Sequence, residues 1–297
     1  MRDMTERSYG TMLGWSPAMQ QVYAAIEKAA GVEVPVLIFG ETGTGKELVA
    51  QEIHARSVRR KNPFVAVNTG ALTSELVASE LFGHSKGAFT GAIDTRGGRF
   101  REAHTGILFL DEISTMEERV QVALLRVLES GTFRPVGASG NIHVDVRVIA
   151  ATNEDLDAAV ARGAFRADLR HRLGVFPVTL PPLRERAVDI PVLVESFLQE
   201  ANANFNANVS GVGHEALDAM MAYPWPGNVR ELRNVLARAA IVAESGTIEL
   251  KHLPHRIAET FDEPADESSA SAPSAAVTVA TLGQSDEPED IWEHGSP

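Results

Sequence analysis

No cysteine occurs anywhere in the chain, which excludes disulfides, thiolate zinc sites, iron–sulfur clusters and cysteine nucleophiles together. The N-terminus lacks the basic stretch, apolar core and small-residue cleavage site of a signal peptide. No apolar run approaches the roughly 18 residues that suggest a membrane span. A cytoplasmic protein is expected, and no internal repeat is visible. Lysine and arginine are missing from Ala258 to the end, where ten acidic residues gather. Most of the net charge of −13 therefore sits in this tail, and whole-chain charge says little about how the near-neutral remainder meets nucleic acid.

What is present suits a soluble globular protein: 297 residues, 44% of them hydrophobic, enough for one large core or two modest ones. Met19, Val22, Ile26 and Ala29 recur at helical spacing behind the start signal Ser16-Pro17, which predicts an amphipathic helix. Short apolar runs follow at Val34 to Phe39, Phe64 to Val67, Ile107 to Leu110, Val144 to Ala151 and Val175 to Leu180. Helical patterns such as Glu47 to Ser57 and Val120 to Leu128 separate them. This alternation predicts an α/β fold with a largely parallel sheet covered by helices. After Pro181-Pro182 the strand signals stop, and helical patterns at Pro191 to Asn202, His214 to Met221 and Asn228 to Ala243 predict a smaller all-helical domain. The expected division is a short extension over 1–12, the α/β body over 13–180, the helical domain over 181–256 and a disordered acidic tail over 257–297.

The run Gly40-Glu41-Thr42-Gly43-Thr44-Gly45-Lys46-Glu47 follows an apolar strand and opens a helix, the context a phosphate-binding loop requires. Gly40, Gly43 and Gly45 permit tight turns whose N–H groups converge on phosphate oxygens at a helix N-terminus. Lys46 adds a positive charge for the β and γ phosphates. The generic motif ends in Ser or Thr to touch magnesium, whereas this one ends in Glu47, so the metal must find other ligands or waters. Ile107-Leu108-Phe109-Leu110 leads into Asp111-Glu112. If the two strands are neighbours, Asp111 falls beside the loop and can orient a Mg2+ shell. Glu112 is then placed to polarise the attacking water, since in-line phosphoryl transfer depends on positioning and electrostatics.

Gly87-Ala88-Phe89-Thr90-Gly91-Ala92 spells GAFTGA, and here the chain resembles the central AAA+ domain of the bacterial enhancer-binding proteins, the sigma-54 activators. The resemblance runs from about Leu13 to Pro254. It takes in Glu80-Leu81-Phe82-Gly83-His84 and Leu183-Arg184-Glu185-Arg186. It implies an AAA+ P-loop ATPase followed by a small helical lid, with ATP and Mg2+ as ligands and a hexameric ring as the working assembly. It further implies that the GAFTGA loop touches sigma-54, and glycines around Phe89 and Thr90 suit a mobile tip presenting an aromatic ring and a hydroxyl.

By the same resemblance Asn153, closing Ala150-Ala151-Thr152-Asn153, is a γ-phosphate sensor, and Asn68 is the residue that switches the catalytic glutamate. Arg166 and Arg172, within Phe165 to Leu173, are arginine fingers that reach a neighbouring subunit's nucleotide. Arg170 or His171 stands where the family usually carries a tyrosine. Tyr223-Pro224-Trp225-Pro226-Gly227-Asn228-Val229-Arg230 matches the second-sensor motif, with the rigid turn placing Arg230 in the first turn of the next helix.

Only about a dozen residues precede Leu13, and no helix-turn-helix pattern follows Arg256. The expected activity is remodelling of the sigma-54 RNA polymerase closed complex, with promoter DNA reached through the polymerase. Two alternatives stand beside it. One is a nucleotide-dependent adaptor working through a DNA-bound activator, and the other is a AAA+ remodeller of a different client.

Overall fold

The computed structural model describes residues 8–71, 73–88 and 94–262. Residues 1–7, Phe89, Thr90, Gly91 and Ala92 of the GAFTGA loop, and the acidic segment from Glu263 onward lie outside the described residues. Among the described residues no helix is long and apolar enough to cross a membrane.

In chain order the α/β body runs β1 (Ser8–Tyr9), β2 (Met12–Leu13), α1 (Pro17–Ala30), β3 (Val36–Phe39), α2 (Lys46–Arg56), β4 (Phe64–Asn68), α3 (Ser74–Phe82), α4 (Arg99–Glu102) and β5 (Ile107–Asp111). It continues through α5 (Glu118–Ser130), β6 (Thr132–Phe133), β7 (Ile142–His143), β8 (Arg147–Thr152), α6 (Leu156–Ala161), α7 (Ala167–Leu173) and β9 (Phe176–Thr179). Five of these strands form one parallel sheet in the order β4-β5-β8-β3-β9.

The apolar strand runs are near-continuous because both faces of a parallel sheet are covered. Alternate residues go to opposite sides. Leu37, Leu108, Leu110, Val148 and Ala150 join one core with Leu81, Phe100 and Leu124. Val36, Ile38, Ile107, Phe109 and Ile149 join the other with Met19, Ile26 and Val49. The α1 pattern is satisfied as predicted: Met19, Val22, Ile26 and Ala29 are buried, and the Ser16 hydroxyl accepts from the Met19 N–H at 3.3 Å as an N-cap.

The adjacency on which the placing of Asp111 was made conditional is not met. The strand carrying the phosphate loop, β3, and the strand carrying Asp111, β5, are not neighbours, because β8 lies between them and pairs with both. Strand periodicity reports faces and not lateral order, so adjacency was not readable from the runs. Part of the segment expected as an N-terminal extension belongs to the body. The β1–β2 hairpin packs onto the body, with Met12 buried in the core, Tyr9 stacked on Tyr23 at 4.5 Å, and Thr11 N–H donating to Glu52 on α2 at 2.6 Å. Two-residue strands are too short to show a period.

The lid follows as α8 (Ile190–Phe205), β10 (Asn208–Val212), α9 (His214–Ala222), α10 (Asn228–Ala243), β11 (Ser245–Ile248) and α11 (His255–Asp262). Its core gathers Leu193, Leu198, Met220, Trp225, Leu232 and Leu236. The lid is mainly helical as expected, but it also holds a two-stranded parallel ladder, β10 with β11. These strands are rich in Asn, Ser and Gly, and only Val209 and Ile248 are buried, so no alternation marks them. The boundary at 257 is likewise corrected: α11 runs to Asp262, and Ile257 is fully buried in the lid core. Ile257 anchors this helix amid charged neighbours, too sparse a signal to read as a period.

Candidate nucleotide site

The phosphate loop leaves the end of β3, the strand between β8 and β9, and runs into the N-terminus of α2. Gly43 and Gly45 sit at φ 81° and 106°, the left-handed region open to glycine. Gly43 is also pressed against the lid, since a Cβ there would overlap the carbonyl oxygen of Gly227. No side chain caps α2, so its first-turn amides are aimed at the loop interior, the arrangement that suits a phosphate. Thr44 Oγ1 donates to Glu41 O at 2.7 Å, and Lys46 Nζ donates to Gly40 O at 2.9 Å and Glu41 O at 3.2 Å. The Lys46 ammonium is held below its usual range by burial, which the nearby Asp111 and Glu112 carboxylates oppose and Arg230 reinforces. An anionic ligand placed here would relieve that cost.

Asp111 ends β5 in register with Asn68 at the end of β4. Despite the intervening β8 it reaches the loop: Gly45, Lys46, Glu47, Asp111, Val229 and Arg230 share one cavity of about 480 Å3, a size that accommodates a nucleotide. Asp111 Oδ1 accepts the Glu112 N–H at 3.0 Å. Glu112 itself is in the left-handed region, φ 59° and ψ 41°, a conformation that costs an ordinary residue about 1–2 kcal/mol. Buried Thr69 holds it there, donating its hydroxyl to Asp111 O at 2.9 Å and Glu112 O at 3.0 Å, while Thr115 Oγ1 donates to Glu112 O at 2.8 Å. The Glu112 carboxylate lies over Gly70, where any Cβ would overlap it. Asn68 Oδ1 accepts the Gly70 and Ala71 N–H groups at 2.8 and 3.1 Å, so Asn68 shapes the turn beneath Glu112.

Asn153 follows β8 and its Nδ2 donates to Thr42 Oγ1 at 3.1 Å, which places it against the loop. From the lid, the Arg230 N–H donates to Gly43 O at 3.2 Å. Arg230 is the third residue of α10, the height its rigid turn predicts. Trp225, fully buried, fixes that turn by donating Nε1–H to Met220 O at 2.7 Å. The residues predicted from the loop, the carboxylates and both sensors thus converge on one region.

Comparison with known proteins agrees with this arrangement. Residues 12–179 match the Sigma-54 interaction domain and residues 184–270 the AAA+ ATPase lid domain. The chain is 50% identical over 233 residues to the transcriptional regulatory protein XylR of Pseudomonas putida, covering 78% of this chain and 41% of XylR. It is 46% identical over 268 residues to the DNA-binding transcriptional regulator NtrC of Azospirillum brasilense, covering 90% of this chain and 56% of NtrC. The chain belongs to the sigma-54 activator family. It spans about half the length of the curated relatives it matches. Crystal structures of NtrX from Brucella abortus in complex with ADP and with ATP superpose with a TM-score of 0.79 at 38% identity. Each covers 87% of this chain and 58% or 57% of NtrX respectively, and the fold is that of the ATPase-type AAA+ domain and its lid.

Within this sigma-54 activator domain the segment from Phe165 to Leu173, expected to carry the fingers, contributes no residue to the lining of the cavity. Arg166 caps α7 and its guanidinium bonds Asp168 and Glu118, while Arg172 donates to Leu128 O at 3.0 and 3.3 Å. None of these bonds reaches the phosphate loop. Arg170 donates to Asp157 at 2.9 Å. Of the GAFTGA residues only Gly87 and Ala88 are described. Ala88 N–H donates to Ser85 O at 3.1 Å, and its side chain packs against Gly137 after the β6 strand, so the base of that loop rests on the β6–β7 hairpin.

Arg184, Arg186 and Asn228 lie in stretches that the family resemblance covers, but the sequence assigns them no role. Arg184, Arg186 and Asn228 bond the phosphate loop directly, and Asp189 accepts the Trp15 and Ser16 N–H groups at 2.7 and 2.9 Å. The Gly227-Asn228 step was the available signal for Asn228, which sits at φ 51° and is fully buried.

Proposed function

We propose that this chain hydrolyses ATP to ADP and phosphate and uses the cycle, as a hexameric ring in the cytoplasm, to remodel the sigma-54 RNA polymerase closed complex. The observation that carries the reading is the shared cavity of Lys46, Asp111 and Arg230, with Asn153 bonded to the loop that faces it. Backbone amides of Gly43 to Lys46 bind phosphate oxygens, and the Lys46 ammonium neutralises the β and γ groups. Among the described residues no group of three or more acidic or histidine side chains could hold a metal. Asp111 with substrate phosphates is the sparse ligand set that Mg2+ accepts, and the bound ion would offset charge on the transferring phosphoryl group.

Glu112 takes a proton from water onto its carboxylate as the water oxygen attacks the γ phosphorus, and the bond from that phosphorus to the β–γ bridging oxygen breaks. Asn68 and Thr69 hold Glu112 in position, while Asn153 and Arg230 register the γ phosphate and pass its loss to the lid. Arg166 and Arg172 act in the neighbouring protomer's site, stabilising charge that develops in the transition state. Hydrolysis moves the Phe89 and Thr90 tip against sigma-54, and promoter DNA is engaged through the polymerase.

Open-complex formation by purified sigma-54 polymerase, on a promoter without an enhancer and across a concentration series of this protein with ATP, tests the reading. Open complexes that disappear with Thr90→Ala support it. ATP turnover without open complexes assigns the activity to another client or to a partner-dependent adaptor, and absence of turnover removes the enzymatic reading.

A further inference from the structure

Four consecutive residues of the phosphate loop are each bonded to the hinge or the lid. The Glu41 carboxylate accepts from Arg184 Nη2 at 2.6 Å and Nη1 at 2.9 Å, and its Oε2 also accepts from Asn228 Nδ2 at 3.1 Å. Thr42 O accepts from the same Asn228 Nδ2 at 3.1 Å. Gly43 O accepts from the Arg230 N–H at 3.2 Å, and Thr44 O from Arg186 Nη2 at 3.0 Å. The other end of the Asn228 amide, Oδ1, accepts the Leu183 N–H at 2.7 Å. Asn228 is fully buried, so its own amide makes its bonds away from bulk water, where an unmade partner is costly.

This geometry separates Glu41 from the glycines and lysine around it. A phosphate-binding loop offers N–H groups and positive charge, and a free carboxylate beside the phosphates would oppose binding. Here the carboxylate is turned to the hinge side, where a forked guanidinium and an amide receive it. The Arg184–Glu41 pair is half exposed on both partners, so its contribution to stability is small and its consequence is geometric. Asn228 is the first residue of α10 and Arg230 the third, so whatever fixes Asn228 fixes the height of Arg230 over the cavity.

We propose that Glu41 is a positioning residue rather than a phosphate ligand. With Arg184 and Asn228 it forms a latch that joins the phosphate loop to the lid and sets Arg230 in place. The inference rests on the reading of the cavity as an ATP-hydrolysing site and specifies how that site is coupled to the lid.

Asn228→Asp separates the two ends of the latch. It keeps an acceptor for the Leu183 N–H but sets a carboxylate against Glu41 Oε2 and Thr42 O. Adding Glu41→Gln returns a donor facing that acceptor, and Arg184→Ala trims the pair at the surface without touching the core. In the full chain we expect Asn228→Asp to lower kcat for ATP by about tenfold or more and to leave the affinity for a fluorescent ADP within about threefold. The added Glu41→Gln should regain most of the lost kcat. Arg184→Ala and Glu41→Ala should lower kcat by similar factors, with the double variant no worse than either alone. ADP affinity falling in step with kcat, no regain in the swapped pair, or full additivity would each overturn the latch.

Hydrogen exchange over residues 181–190 supplies a readout free of turnover. Asn228→Asp and Arg184→Ala should each speed exchange there and in the phosphate loop together, and Glu41→Gln should reverse the effect in the first of them. If wild-type protein hydrolyses no ATP, the enzymatic reading fails while this exchange pattern still decides the latch. Unchanged exchange in Arg184→Ala, a surface substitution that leaves the fold intact, overturns it.

Discussion

Two groups of arginines occupy this domain in opposite circumstances. Arg184 and Arg186 grip the chain's own phosphate loop with their guanidinium groups, and Arg230 holds it through its backbone N–H. Arg186 is so deeply buried that desolvation holds its pKa below the usual arginine range. Arg166, Arg170 and Arg172 are spent on Asp168, Asp157 and the Leu128 carbonyl, away from that loop. Folding alone completes the first group. The second has no task within its own site, and its surface bonds are of the exposed kind that exchange readily for a better anion. A domain that binds nucleotide by itself but needs a second copy to hydrolyse it would be built in this way.

Several substitutions break or sharpen the contrast. Glu112→Ala should lower ATP turnover by about 10²–10⁴-fold while nucleotide binding persists, because only the water-activating group is lost. Steady-state phosphate release beside an equilibrium nucleotide titration measures both. Lys46→Ala, within the self-sufficient group, should cost about 2–5 kcal/mol of nucleotide affinity, the range for removing one partner of a buried charge pair. A fluorescent-nucleotide titration that shows unchanged affinity would place the phosphates elsewhere.

Away from either arginine group, Thr105 stands at φ 68°, a left-handed conformation rare for a β-branched residue. Thr105→Gly should raise stability by roughly 0.5–1 kcal/mol, the relieved strain less the added freedom of the unfolded chain. Denaturant unfolding at constant m-value would measure it. The smallest effect concerns pH. Hydrogen bonds from Arg184 and then Asn228 hold Glu41 below its ordinary value of 4.5. The carboxylate therefore binds fewer protons folded than unfolded, so its contribution is present above pH 4.5 and is lost as pH falls through the lower folded value. Glu41→Gln should flatten that part of the acid limb by lowering the neutral plateau slightly, with little change at the acid end.

The sequence exposed the parts of the site whose chemistry is local. Gly43, Gly45 and Lys46 need only a strand before them and a helix after them, and Asp111 and Glu112 need only the end of an apolar strand. The order of the sheet was not legible in that way, because a parallel strand shows which residues face each side and nothing about which strand lies next to it. Asn228, Arg184 and Arg186 were hidden for a related reason. Their importance arises from contacts with Leu183, Glu41 and Thr44, spanning distances of 45 to 143 residues along the chain. The β10–β11 ladder and α11 escaped because each buries few residues, Val209 and Ile248 in one and Ile257 in the other.

The division between the two arginine groups is tested most directly by mixing two inactive proteins. Arg172→Ala retains the loop and its grip on nucleotide, while Lys46→Ala retains the finger. Each alone should hydrolyse ATP at a small fraction of the wild-type rate, since a trans-acting arginine accounts for about 10³–10⁵-fold in related phosphoryl transfers. Combined, they should regain measurable turnover, because the Lys46→Ala protomer lends its finger to the intact site of its neighbour. A mixture as inactive as its components, or normal turnover by Arg172→Ala on its own, would contradict the account.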